Sequence, residues 1–192
     1  MQWNLPMALT LGRVLAIPAV LALFYLPIPH ARQWACVLYS AACLTDWLDG
    51  YLARLWNQTS KFGAFLDPVA DKLMVAVTLV CLLHAAPPTM GDATKGLLAA
   101  MVAVIIGRET TVSALREWMA ELGRRAKVSV SWIGKLKTGF QMTAIGMMIW
   151  GIPTFGLPWY EMGYWLLLLA AVLTLYSMVS YLRAAWPMMR NA

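Results

Sequence analysis

The feature that most constrains the fold of this chain is a series of six apolar stretches, each close to the ~20 residues that a helix needs to cross a bilayer. They cover about residues 7–26, 33–55, 61–84, 96–114, 132–150 and 159–182. The composition agrees, because 61% of the residues are hydrophobic and only 12% are charged. The sequence therefore predicts an all-α integral membrane protein. We expect a single domain over residues 1–192, a bundle of six transmembrane helices with a short interfacial segment at residues 1–6.

Four aspartates interrupt the second and third apolar stretches, on either side of the polar turn that joins them. Asp46 and Asp49 are three residues apart and Asp67 and Asp71 are four apart, so each pair shares one face of a helix. If the two helices are antiparallel neighbours, the four carboxylates converge on one pocket. Close negative charges repel in a low-dielectric site, and all-oxygen ligands suit Mg²⁺ or Mn²⁺. The four aspartates are therefore candidate metal ligands.

Two interpretations compete for this cluster and its surroundings. A charge within a span costs ~2.5–3.5 kcal/mol on insertion scales, so four together indicate a function, although headgroups can also solvate aspartates at span ends. Gly50, Ala53 and Gly63 either leave room for a ligand or merely allow close helix packing. Metal ions held by carboxylates can bind a diphosphate, and a remaining carboxylate can accept a proton from an attacking hydroxyl.

The spacing of these residues carries a family resemblance. The pattern D-x2-D-G-x2-A-R-x8-G-x3-D-x3-D is matched at every fixed position between Asp46 and Asp71. It resembles the signature of the CDP-alcohol phosphotransferases, which make phospholipid head groups. Eight fixed positions within one short stretch are far more specific than a lone short motif.

The resemblance implies a role for each matched residue. Asp46, Asp49 and Asp67 would bind two Mg²⁺ or Mn²⁺ ions, while Asp71 would be the catalytic base and also a neighbour of the metals. The nucleotide of the donor would be held by Gly50, Ala53, Arg54 and Gly63. The implied donor is CDP-diacylglycerol, whose acyl chains stay in the bilayer while its head enters the pocket. The implied assembly is a homodimer of six-helix subunits.

Further segments indicate which alcohol accepts the phosphatidyl group. Asn4-Leu-Pro, Leu9-Thr-Leu-Gly-Arg13, Arg108-Glu109 and Trp132-Ile-Gly-Lys-Leu-Lys137-Thr resemble the bacterial members of this family that use sn-glycerol 3-phosphate. A dianionic acceptor beside a carboxylate cluster requires cations. The candidates on the same side are Arg108, Lys135, Arg116 and Lys137. Arg108 and Lys135 are favoured because each falls within a span, although positive-inside topology alone would explain most basic residues here.

The distribution of basic residues predicts the orientation. Of the fifteen Lys and Arg residues, thirteen fall on the side of the termini and the aspartates, against Arg32 and Lys95 on the other. The positive-inside rule then places both termini and the active site in the cytoplasm, and the resemblance implies the bacterial inner membrane. The charge of +6 favours anionic lipid, and little soluble surface remains to bind nucleic acid. Arg13 either snorkels to the interface or faces the pocket and holds a phosphate.

Other functions fit the same residues less well. Siblings of the resembled enzymes use serine, an inositol phosphate or phosphatidylglycerol as the acceptor. Membrane prenyltransferases also combine aspartates, Mg²⁺ and a diphosphate, but resemble a longer bundle and lack this spacing. A cation transporter would place its carboxylates near the midplane between repeated halves, whereas no repeat is evident here.

Overall fold

The fold is a bundle of six α-helices, seen in a computed structural model that describes residues 5–56, 61–121 and 132–189. The helices are α1 (Leu5–Tyr25), α2 (Ala31–Trp56), α3 (Lys61–His84), α4 (Asp92–Glu121), α5 (Trp132–Trp150) and α6 (Trp159–Met189). The prediction of an all-α membrane protein is confirmed. The expected interfacial segment at residues 1–6 falls mostly outside the described residues.

The apolar pattern predicted some helix ends better than others. α3 and α5 begin and end where predicted. α4 begins four residues early, at Asp92, because an acidic residue stabilises a helix N-terminus. The predicted sixth span, residues 159–182, agrees with the apolar segment Trp159–Arg183, although α6 itself continues to Met189. The apolar run stops at Arg183, but arginine and alanine are good helix formers, so a charge ended the pattern without ending the helix.

Membrane character is strongest in three of the helices. Within the described residues, the segments Ala8–Tyr25, Asp92–Met119 and Trp159–Arg183 are long and apolar enough to cross a bilayer, by length and composition. The aspartates and two lysines of the candidate site lie on α2, α3 and α5 and lower the hydropathy of those helices. Large apolar side chains such as Leu15, Trp34 and Trp165 point outwards, as lipid-facing residues do.

Helix packing brings the polar ends of all six helices together. α1 packs against α2 and α3, α5 packs against α2, α3 and α6, and α4 packs against α3 and α6. Small residues allow the close approaches: a Cβ on Gly163 of α6 would lie only 2.8 Å from the backbone oxygen of Ala144 on α5. Consecutive helices alternate in direction, so the starts of α1, α3 and α5 meet the ends of α2, α4 and α6.

Candidate active site

Arg13 on α1 joins two of the predicted metal ligands. Its side chain is almost fully buried, and its Nη1 lies 2.8 Å from Oδ1 of Asp46 on α2 and 2.6 Å from Oδ1 of Asp71 on α3. One nitrogen in contact with both carboxylates places them side by side, so the predicted convergence of α2 and α3 is correct for this pair. Of the two interpretations of Arg13, the structure supports the one in which it faces the pocket.

Asp67 has a different partner, which lies on α1 like Arg13. The hydroxyl of Thr10, which is 2% exposed, donates a hydrogen bond of 2.5 Å to Oδ1 of Asp67. Thr10 and Arg13 are three residues apart on α1 and share a face. That face therefore contacts three of the four aspartates, Asp46, Asp67 and Asp71, and stabilises their negative charge.

The remaining residues of the family signature lie in helices whose bounds are known, but their side chains are outside what the structure describes. These are Asp49, Gly50, Ala53, Arg54 and Gly63, together with Lys135 on α5. Within the described part of the chain, no group of three acidic, histidine or cysteine residues is close enough to hold a metal ion. The metal and nucleotide assignments therefore stay predictions.

The chemistry of the described donors fits a divalent cation. Asp46 and Asp71 each present one carboxylate oxygen to Nη1 of Arg13, so the two carboxylates are spaced to share a single cation. Carboxylate oxygens in a partly buried site suit Mg²⁺ or Mn²⁺. Asp67 has one oxygen engaged by Thr10, and a carboxylate has a second oxygen with which to bind a metal.

A second charged cluster joins α4, α5 and α6. Glu109 on α4 accepts from its neighbour Arg108 at 2.8 Å and from Lys137 on α5 at 3.0 Å, through the same Oε1. Arg108 and Lys137 are both buried, at 6% and 2% exposed. Arg108 also donates to the Ser177 hydroxyl on α6 at 3.3 Å. Because one carboxylate faces two buried cations, the group retains a positive charge.

Tyr181 of α6 contacts the guanidinium groups of both Arg108 and Arg116. The carbon at the centre of the Arg108 guanidinium is 5.8 Å from the centre of its ring, and that of Arg116 is 5.4 Å away. Arg116 also donates to the Tyr181 hydroxyl at 3.1 Å. These contacts fix both arginines on one side of the cluster. Of the predicted acceptor-binding residues, Arg108, Arg116 and Lys137 are thus brought together.

The two charged clusters lie at the same end of the bundle. Met142 of α5 lines a small cavity with Arg13, Asp46 and Asp71. Lys137 precedes Met142 by five residues, which is about 8 Å along a helix axis. Carboxylates that suit a cation–diphosphate complex therefore lie within a few helical turns of cations that suit a phosphate.

An apolar groove of about 500 Å³ runs between α2 and α5, away from the carboxylates. Its walls include Cys36, Ser40, Gly146 and Trp150, and it ends at the loop between α5 and α6. Tyr39, Cys43 and Met142 line both this groove and the small cavity beside Asp46 and Asp71. The groove therefore adjoins the small cavity beside the carboxylates.

Sequence reasoning missed three of the residues that organise these clusters. They are Thr10, Glu109 and Tyr181. Thr10 donates to Asp67 on another helix, Glu109 pairs with Lys137 on another helix, and Tyr181 contacts two arginines of α4. Glu109 could have been found from the sequence, because an acidic residue within a span is costly to bury without a cationic partner. Nothing in the spacing of Tyr181 indicates that it contacts Arg108 and Arg116.

Comparisons with known proteins agree on one family. The sequence profile of the family described as CDP-alcohol phosphatidyltransferase matches residues 3–176. The chain is 48% identical over 189 residues to a protein of Salmonella choleraesuis (strain SC-B67) named CDP-diacylglycerol–glycerol-3-phosphate 3-phosphatidyltransferase, and the match covers 96% of both chains. Proteins with the same name from Shigella flexneri serotype 5b (strain 8401) and Escherichia coli (strain K12) match at the same identity and coverage.

Proposed function

Because this chain belongs to the CDP-alcohol phosphatidyltransferase family, we propose that it transfers the phosphatidyl group of CDP-diacylglycerol to sn-glycerol 3-phosphate. The products are phosphatidylglycerophosphate and CMP, in the synthesis of phosphatidylglycerol and cardiolipin. The observation that carries the proposal is the pairing of a carboxylate cluster with a cationic cluster at one end of the bundle. The names of the relatives at 48% identity support the same reaction.

The donor half of the site is built from the aspartates. Asp46, Asp49 and Asp67 would hold two Mg²⁺ or Mn²⁺ ions, with Asp71 as their neighbour, and these ions when bound neutralise the diphosphate and stabilise the leaving CMP. The small residues Gly50, Ala53 and Gly63, with Arg54, would line the nucleotide site. Arg13 contacts Asp46 and Asp71 through Nη1, and its guanidinium would also donate to a phosphate oxygen of the donor.

The transfer itself requires one base. The acceptor's hydroxyl oxygen bonds to the phosphorus that carries the diacylglycerol, and the bond from that phosphorus to the oxygen of CMP breaks. The proton of the hydroxyl passes to Asp71. Asp71 suits this role because its Oδ1 is held at 2.6 Å by Arg13, which leaves its second oxygen for the proton.

The acceptor half is built from the cationic cluster. Arg108, Arg116 and Lys137 carry three positive charges against one on Glu109, and the balance of two matches a phosphate dianion. Lys135 would add to the same site. Glu109, Ser177 and Tyr181 hold the cations in place, so the site is ordered before the acceptor arrives.

The acceptor site gives the first prediction. Arg108→Ala and Lys137→Ala should each raise KM for glycerol 3-phosphate by about 10–150-fold, because a charge-assisted phosphate contact contributes ~1.5–3 kcal/mol. Arg108→Lys should fall between the wild type and Arg108→Ala, since lysine keeps the charge and loses the planar fork. KM for CDP-diacylglycerol should change little, as measured by steady-state kinetics with each substrate varied in turn.

The matched control is Arg183→Ala, which removes a positive charge from an exposed residue near the same end of α6. It should leave KM for glycerol 3-phosphate within about twofold, because exposed charges are screened. An equal effect of Arg183→Ala and Arg108→Ala would mean that the acceptor responds to surface potential. The cationic cluster would then not be its binding site.

The second prediction concerns the apolar groove. We propose that an acyl chain of the donor lies in this groove. A Cβ added to Gly146 would meet nothing within 4 Å, so a large side chain there fits the helix and fills the groove. Gly146→Phe should lower kcat/KM by about tenfold for a long-chain CDP-diacylglycerol, since each CH₂ group that the ring displaces from the groove loses ~0.8 kcal/mol of burial and about two such groups give tenfold. A donor with six-carbon chains should be used nearly as well as before.

Gly96→Phe is the matched control for Gly146→Phe. Gly96 on α4 is exposed and its added Cβ is also unobstructed, but it does not line the groove. It should affect neither donor. If Gly146→Phe impairs long-chain and short-chain donors equally, the groove does not hold an acyl chain.

The proposal extends to location and assembly. We infer a homodimer in the bacterial inner membrane, with both termini and the site facing the cytoplasm. The thirteen-to-two distribution of basic residues supports this orientation. CDP-diacylglycerol would reach the groove from the lipid, and glycerol 3-phosphate would reach the cations from the cytoplasm.

An acceptor panel tests the proposed function. Purified protein in detergent with Mg²⁺ and CDP-diacylglycerol should release CMP when glycerol 3-phosphate is added. Serine, an inositol phosphate and phosphatidylglycerol should each give little release, because none combines a free primary hydroxyl with a small phosphate dianion in the same geometry. Release of CMP with serine and not with glycerol 3-phosphate would overturn the acceptor while leaving the donor chemistry intact.

A further inference from the structure

The Tyr39 hydroxyl is a buried polar group that the fold leaves poorly satisfied. Tyr39 on α2 is only 1% exposed, and its hydroxyl makes no hydrogen bond of ordinary geometry to the described residues. The thiol of Cys43, one turn further along α2, lies beside it, but a thiol is a weak partner. Leaving a buried hydroxyl unpaired costs free energy, so buried polar side chains nearly always have a better partner.

The position of Tyr39 indicates what that partner is. Its side chain lines both the apolar groove and the small cavity that contains Asp46 and Asp71. Asp46 follows it by seven residues on the same face of α2, which is about 10 Å along the helix axis. Tyr39 therefore lies at the boundary between the part of the site that suits a diphosphate and the part that suits hydrocarbon.

A diacyl donor has one kind of polar group at that boundary. Between its diphosphate and its hydrocarbon chains lies a glycerol backbone whose two ester carbonyls accept hydrogen bonds and cannot donate them. Tyr39 can donate. Ser40 and Thr143 also line the groove, but both are exposed, so neither hydroxyl carries a comparable cost of burial.

We propose that the Tyr39 hydroxyl donates a hydrogen bond to an ester carbonyl of the donor's diacylglycerol, and that this bond makes the enzyme select ester-linked over ether-linked lipids. An ether oxygen is a much weaker acceptor and stands in a different place, so a dialkyl donor would leave the hydroxyl unpaired. The inference rests on the proposed function, because it assigns a further contact to the same donor.

Two donors and one substitution test this contact. CDP-diacylglycerol and a CDP-dialkylglycerol of equal chain length are compared in the wild type and in Tyr39→Phe, by kcat/KM. The wild type should prefer the ester donor by about five- to tenfold, the value of one ordinary hydrogen bond. Tyr39→Phe should lose that preference, with the ester donor weakened about five- to tenfold and the ether donor within about twofold of the wild type.

Stability and a neighbouring substitution serve as controls. Tyr39→Phe should unfold at the same temperature as the wild type or a higher one, because it removes a poorly satisfied hydroxyl and keeps the ring. Cys43→Ala should retain the preference for the ester donor. If Tyr39→Phe weakens both donors equally, or if the wild type uses both equally, the inference is wrong. If the wild type releases no CMP from the ester donor with glycerol 3-phosphate, the proposed function itself fails.

Discussion

Asp67→Asn is expected to lower phosphatidyl transfer by about 10³-fold or more, since metal ligation of the diphosphate contributes several kcal/mol to the transition state. This substitution removes the negative charge of the side chain and keeps its size. The asparagine oxygen can still accept the 2.5 Å hydrogen bond that Thr10 donates to Asp67 Oδ1, so the contact between α1 and α3 is preserved. Metal-dependent binding of CDP-diacylglycerol should weaken in parallel, as measured by titration with and without Mg²⁺.

The same result is expected for Asp46→Asn and Asp49→Asn. Asp92→Asn is the control, because Asp92 is exposed at the start of α4, at the other end of the bundle, and the loss of one charge at a helix N-terminus costs at most about 1 kcal/mol. It should retain nearly full activity. Near-native turnover of Asp67→Asn at ordinary Mg²⁺ concentration would exclude Asp67 as a required ligand.

Asp71→Asn is expected to keep donor binding and lose turnover. A positioned general base contributes about 10²–10⁴-fold, and asparagine cannot accept the proton of the acceptor. Asparagine can retain the contact with Arg13 through its oxygen, so the arrangement of α1 and α3 should survive. The expected result is a fall in kcat of that size, with a Kd for CDP-diacylglycerol far closer to the wild type than that of Asp67→Asn.

The comparison of the two variants separates the roles of the aspartates. If Asp71→Asn loses donor binding as severely as Asp67→Asn, then Asp71 acts mainly as a metal ligand. A different group would then have to accept the proton. The cationic cluster offers no substitute, because its one carboxylate, Glu109, is already shared by Arg108 and Lys137.

The sequence predicted the fold well because the bilayer imposes a simple rule on it. An apolar run of about this length forms one helix across the bilayer, because its backbone groups must be paired within the segment. α3 and α5 follow this rule to the residue. α6 continues beyond its apolar run to Met189, where the requirement of the bilayer no longer sets the helix end.

The candidate site was most predictable where its residues share one helix or the two helices of the signature. The spacing of Asp67 and Asp71 gives a common face directly, whereas the position of Arg13 depends on how α1 packs against α2 and α3. The same holds for Glu109, which meets Lys137 because α4 and α5 both pack against α3 and α6. Contacts between helices are properties of the packed bundle, and no local periodicity encodes them.

Transfer of labelled phosphate into lipid is the most direct test of the account. Glycerol 3-phosphate labelled with ³²P is supplied to the purified protein with CDP-diacylglycerol and Mg²⁺, and both the lipid fraction and free CMP are quantified. The account predicts that ³²P enters the lipid one-to-one with CMP release, and that neither occurs when Mg²⁺ is chelated. Release of CMP without ³²P in the lipid would contradict the central claim that the cationic cluster delivers glycerol 3-phosphate to the aspartates.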